Sequence, residues 1–207
     1  MSYETLITFF SVSLLLGLIP GPDNIFVLMQ SVLHGKKAGL LVVMGLCTGL
    51  LVHSSLVALG VAAVFQSSSW AFNVLKIIGG LYLLYLAVQA FKASNDKIEG
   101  NNAPQLTYRQ LYVRGIVMNI SNPKVAIFFL AFLPQFTQPQ QGDIAGQLLL
   151  LGGVFIMATL LVFSCIAIMA GSVSHALKNS PHAQSVLHKT AGVIFLLLAL
   201  KLLFTSS

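Results

Sequence analysis

The chain alternates long apolar runs with short polar breaks. A run of about 20 apolar residues is the length of a membrane-spanning helix, and the runs here predict six spans. The first covers about residues 5–33 and is interrupted at Pro20-Gly21-Pro22-Asp23-Asn24. The second covers about 38–65 and the third about 70–91, with the hairpin Gln66-Ser67-Ser68-Ser69 between them. Residues 38–75 contain no Lys, Arg, Asp or Glu. Residues 92–110 form the one long polar connection. The fourth span, about 111–136, is interrupted at Asn122-Pro123-Lys124. The fifth covers about 143–172, and a basic loop with Lys178, Pro181 and Lys189 leads to the sixth, about 186–204. The expected fold is all-α: a polytopic membrane protein with one transmembrane domain over residues 1–207. It divides into a first repeat (about 4–91), a polar linker (about 92–110) and a second repeat (about 111–205).

The two breaks are the informative places. Proline removes a backbone donor and clashes with the preceding turn. In lipid, the freed groups are tolerated only where protein or a polar cavity satisfies them. Gly21-Pro22-Asp23 aligns with Asn122-Pro123-Lys124 at an offset of 101 residues. Lys76-x-x-Gly79-x-x-Tyr82-Leu83-Leu84 likewise echoes Lys189-x-x-Gly192-x-x-Phe195-Leu196-Leu197. Three spans is an odd number, so the second copy is expected to be inverted relative to the first. Broken helices at matching places in two halves point to a midplane site.

Composition agrees. Hydrophobic residues make up 57% and charged residues 8%, with a mean hydropathy of +0.89. A soluble domain carries about 25% charged residues, so soluble enzyme chemistry is excluded. The net charge of +6 is spread over loops and makes no nucleic-acid patch. Lys36, Lys37, Lys92, Lys97, Arg109, Lys178 and Lys189 share one side, with Arg114 just inside it. Both termini, the serine hairpin and residues 137–142 share the other, where Lys76 and Lys201 can snorkel out. The positive-inside rule predicts cytoplasmic basic loops and periplasmic termini. The N-terminal run lacks the flanks of a signal peptide and is expected to stay as the first span. Cys47 and Cys165 lie in apolar runs and read as packing residues.

Asp23 and Lys124 fall near mid-span, where a charge costs about 2.5–3.5 kcal/mol on insertion scales. They are the first candidates for a site at the repeat interface. Asp23 would meet the ammonium of an amino-acid substrate and Lys124 its carboxylate. In the alternatives they pair only in the empty state, or form a permanent ion pair that pins two helices. Pro20, Gly21, Pro22 and Pro123 either expose backbone groups to substrate or simply kink the helices. Asn24, Asn119 and Asn122 flank the breaks and either cap backbone or touch substrate. His53 is a candidate proton relay beside Asp23, or a packing residue. Gly45-x-x-x-Gly49 marks close helix approach, within the chain or across a homodimer. The clustered His175, His182 and His188 lack a ligand spacing, and no metal site or cofactor is expected.

These residues resemble a known family. Gly17-Leu18-Ile19-Pro20-Gly21-Pro22-Asp23 is similar to the P-G-P-[DN] signature of the LysE/RhtB amino-acid exporters. Leu75-Lys76-x-x-Gly79-Gly80-x-Tyr82-Leu83 resembles their third span. Asn119-x-x-Asn122-Pro123-Lys124 and Phe132-Leu133-Pro134-Gln135-Phe136 resemble their fourth. The resemblance implies a six-helix bacterial inner-membrane exporter of a small amino acid, working by proton antiport. Its motif falls on Pro20, Gly21, Pro22, Asp23, Asn122, Pro123 and Lys124. Rival readings are a metal-ion or other small-solute exporter, a thiol-disulfide carrier, or a non-transporting membrane subunit.

Overall fold

In a computed structural model of the chain, the described residues are 1–19, 21–67 and 106–170, with side chains omitted at 61–67. Single helical positions are also described between 74 and 92 and between 186 and 203. Pro20, Lys76, Lys97, His175, Lys178, Pro181, His182, His188 and Lys201 lie outside the described residues. So do Ser68 and Ser69 of the serine hairpin and most of the polar linker.

Local chemistry sets the helix ends. Helix α1, Tyr3–Leu18, starts on Ser2, whose side chain accepts a hydrogen bond from the Thr5 N–H. Ile19 is extended and ends it. Helix α2, Pro22–His34, starts with proline in its first turn, where the missing N–H has no intrahelical partner to lose. The two axes meet at 62°. Gly35 then turns the chain at φ 84°, a conformation that costs glycine least. Helix α3, Lys36–Ser67, begins at once. Lys36 and Lys37, expected in a turn, are therefore in its first turn, because Gly35 alone reverses the chain.

Helix α4, Tyr108–Ile120, starts earlier than the hydrophobic pattern suggests. Thr107 and Gln110 form a reciprocal capping box that extends it over polar residues. After Ser121 and Asn122 comes α5, Pro123–Ile127, and the broken pair bends by 49°. The helix continues as a π segment, Phe128–Phe132, and a 3-10 turn, Leu133–Phe136. Pro134 cannot donate to the ladder. Phe128, Phe129, Ala131, Phe132 and Leu133 of this stretch are all buried. A 3-10 turn, Pro139–Gln141, leads to Asp143, which caps helix α6, Ile144–Ile168.

Among the described residues, α3 and α6 are each long and apolar enough to cross a membrane, and each bent pair taken together is so as well. Every described position in 74–92 and 186–203 is helical, where the third and sixth spans were expected. A Cβ on Gly80 would lie 2.5 Å from Leu203, and one on Gly192 would lie 2.7 Å from Phe91. The two segments thus pack closely and run antiparallel, as inverted copies require. Gly45 and Gly49 face α4: their Cβ atoms would fall 2.1 Å from the Tyr112 carbonyl and 2.7 Å from Asn119. The motif left open between internal packing and a dimer face is therefore spent inside the chain.

Two cores result. At one end Phe9, Phe128, Phe132 and Phe136 interlock with Phe129 and Phe155, with neighbouring rings 5.0–5.3 Å apart. At the other, Val27, Ala38, Val42, Val43, Leu46, Leu111, Val162 and Ala167 form an aliphatic cluster. The Met1 ammonium donates to Gln141 Oε1, which places the N-terminus and the 137–142 turn at the same end.

Candidate functional site

Between the two cores the helix breaks meet. A break leaves the last carbonyls of one helix and the first N–H groups of the next without intrahelical partners. The carbonyls ending α1 are satisfied from outside it. Asn24 Nδ2 donates to the Gly17 carbonyl at 2.7 Å. Lys124 Nζ donates to the carbonyls of Leu16 at 3.4 Å and Ile19 at 3.3 Å. The ammonium thus sits at the negative end of the α1 dipole, and Asp23 occupies the first turn of α2, the positive end. Each half supplies a group that complements the break.

Asn122 joins them. Its Oδ1 caps α5 by accepting from the Lys124 N–H at 3.0 Å, and its Nδ2 donates to Asp23 Oδ2 at 2.9 Å. Asp23 therefore bonds to Asn122, and Lys124 bonds the α1 carbonyls. The other carboxylate oxygen, Asp23 Oδ1, is buried without a hydrogen bond, and so is Asn119 Oδ1. Asp23 is 6% exposed and Asn119 2%. A buried acceptor left unpaired costs about 1–3 kcal/mol, so these two oxygens mark where a donor is wanted.

Both residues line one cavity with Gly21, Asn24, Asn122 and Lys124. Its volume is about 30 Å³. A water needs roughly 10–15 Å³ by this measure, so the space suits about two waters rather than an amino acid. Its remaining walls come from Leu16, Gly17, Leu46, Leu50, Val125, Phe155, Thr159 and Phe163. Of the residues singled out in the sequence, the fold thus gathers Gly21, Asp23, Asn24, Asn119, Asn122 and Lys124. Pro22 and Pro123 open the half-helices beside the cavity without lining it. His53 is placed one layer behind: buried, with Nε2 donating to the Asn119 carbonyl at 3.2 Å and the ring 5.7 Å from Phe129.

Thr159 escaped the sequence reading. Thr159 is a buried hydroxyl within an apolar span, and that polarity was the available signal. Gly49 matters because a Cβ there would lie 2.8 Å from Asn119 Oδ1. It keeps the space in which that amide stands: the Gly45-x-x-x-Gly49 pattern announced a close approach, and the fold supplies Asn119 as the neighbour.

Half-helices meeting at a buried polar cavity inside an all-α membrane protein are the architecture of a multi-pass transporter. The profile described as "LysE type translocator" matches residues 14–206, and the chain belongs to this family. It is a translocator and not an enzyme. The homoserine/homoserine lactone efflux protein of Salmonella typhimurium is 34% identical over 198 residues, 95% of each chain. The leucine efflux protein of Enterobacter sp. is 28% identical over 189 residues, 89% of this chain and 88% of that one. An uncharacterized membrane protein of Bacillus subtilis, YrhP, is 28% identical over 200 residues, 92% and 94% of the two chains. No solved structure matches.

Proposed function

We propose that the chain exports a small neutral amino acid, of the homoserine, threonine or leucine kind, across the bacterial inner membrane in exchange for protons. The observation that carries this reading is the pair of unpaired buried acceptors, Asp23 Oδ1 and Asn119 Oδ1, on one cavity with Lys124. An ammonium brings three donors and no acceptor, and so suits those oxygens. Lys124, which lines the same cavity, is the counterpart for the carboxylate. Relatives named for homoserine and leucine efflux support a neutral cargo.

In this proposal the substrate's ammonium displaces water at Asp23 and Asn119. Its carboxylate draws Lys124 from the α1 carbonyls, loosening the 62° break. The cavity must widen to admit it, and that widening is the coupling between binding and helix movement. Asp23 takes the proton once the ammonium has left, which gives exchange. His53 holds the Asn119 carbonyl and thereby the amide that reads the substrate. The periplasmic placement of both termini follows from the loop charges.

Efflux of preloaded radiolabelled homoserine, threonine, leucine and lysine from bacteria expressing the chain tests this. One or more of the neutral cargoes should leave in an uncoupler-sensitive way, and lysine should not. Asp23→Asn and Lys124→Ala should each reduce that efflux at least tenfold at equal membrane abundance. Full efflux from both variants would reduce the charged residues to helix caps.

A further inference from the structure

The mechanism above leaves the buried side chain of Gln30 unused. Asp23, Val27, Gln30 and His34 follow i, i+4, i+7 and i+11 spacing, so they form a single stripe along α2. The stripe leads from the cavity to the Gly35 turn. Asp23 is bonded to Asn122 and Val27 is packed in the aliphatic cluster. Gln30 differs from both. It is 1% exposed, and neither its Nε2 nor its Oε1 has a hydrogen-bond partner. His34 Nε2, one turn further on, is also buried and unpartnered. The neighbouring Ser31 shows the contrast: its hydroxyl is buried but donates to the Val27 carbonyl at 2.7 Å.

A carboxamide has two donors and an acceptor with two lone pairs. Leaving all of them unmade on a buried helix position gains nothing for this arrangement, since a leucine of similar size would fill the place. Helical side chains lean towards the N-terminus, so the amide lies back towards the Asp23 turn. The two positions are seven residues apart, about 10 Å along the axis. That is too far for one small amino acid to bridge.

We infer that Gln30 is a second substrate station: a polar subsite on the inner path, which hydrogen-bonds an amino acid in transit between the Gly35 end of the protein and the Asp23 cavity, with His34 at its mouth. This rests on the transporter reading of the cavity. When the path opens, α2 parts from the aliphatic cluster and the amide meets water and cargo. When it closes, those bonds are lost, and the closed arrangement is held only loosely. An amide both donates and accepts, so the station favours cargo with a hydrogen-bonding side chain over purely apolar cargo.

The test has two arms. In a Cys47→Ala, Cys165→Ala background, Gln30→Cys is exposed to a membrane-impermeant thiol reagent added on the Gly35 side. Val42→Cys, fully buried in the same cluster at the α3–α4 crossing, is the control. Gln30→Cys should react at least tenfold faster than Val42→Cys. Equal protection of both overturns the inference, whatever the transport assay gives. In the second arm, Gln30→Leu and Gln30→Asn are compared in homoserine and leucine efflux. Gln30→Leu should raise the half-saturating homoserine concentration about tenfold while changing that for leucine less than twofold. Gln30→Asn should recover much of the difference. An equal loss for both cargoes would assign Gln30 to structure. If the native chain exported neither, the transport reading would fail, while the labelling arm would still decide whether the path reaches Gln30.

Discussion

At the scale of single residues, Asn122 serves two purposes that substitution can separate. Its Oδ1 caps a helix and its Nδ2 holds Asp23. Serine is about as good a cap as asparagine, whereas alanine at such a position costs about 1 kcal/mol. Asn122→Ser is therefore expected to keep the cap while orphaning Asp23 Oδ2, so to lower the thermal unfolding midpoint of the detergent-purified protein less than Asn122→Ala does and to lose most of its efflux. Asn122→Ala should lose both cap and efflux. If Asn122→Ser transported normally, the link from Asn122 to Asp23 would be dispensable. The importance of Asp23, Asn122 and Lys124 was legible because charged and amide side chains at helix breaks are conspicuous in an apolar sequence. Their pairing was not. That Lys124 reaches the carbonyls of Leu16 and Ile19 depends on how two distant halves meet.

Among the elements, the α3–α4 crossing is the tightest point with a clear sequence signature. A Cβ on Gly45 would meet the Tyr112 carbonyl at 2.1 Å, and one on Gly115 would meet the Val42 carbonyl at 2.4 Å. Backbone cannot move aside as a flexible side chain can. Overpacking typically costs about 1–3 kcal/mol, so Gly45→Ala and Gly115→Ala should each lower the unfolding midpoint measurably. Gly60, further along α3, has no heavy atom within 4 Å of its would-be Cβ. Gly60→Ala should be neutral or slightly stabilising, because alanine is the better helix former by roughly 0.5–1 kcal/mol. Equal effects at Gly45 and Gly60 would remove the case for close approach. The breaks at Pro22 and Pro123 could be read from proline chemistry alone. The π segment at Phe128–Phe132 could not, because no residue type in that run marks it.

For the whole molecule, the contact of Met1 with Gln141 groups the N-terminus with the 137–142 turn, away from Gly35. With the basic loops inside, single cysteines at Gln140 and at Gly35 should label from opposite sides of the membrane, Gln140 from the periplasm. Labelling of both from one side would refute this topology. The sequence by itself determined the all-α membrane class, the spans, the two breaks and the family. Those follow from local properties: apolar length, proline's missing donor and the scarcity of charge. Only the tertiary structure decided that Gly45 and Gly49 face inward, that Asn122 bonds Asp23, and that Thr159 lines the cavity. These depend on which surfaces of distant helices touch, and in a chain this uniformly apolar many facings fit the same pattern. The choice among them rests on close packing at glycine and on satisfying the few polar groups, both of which exist only once the helices have met.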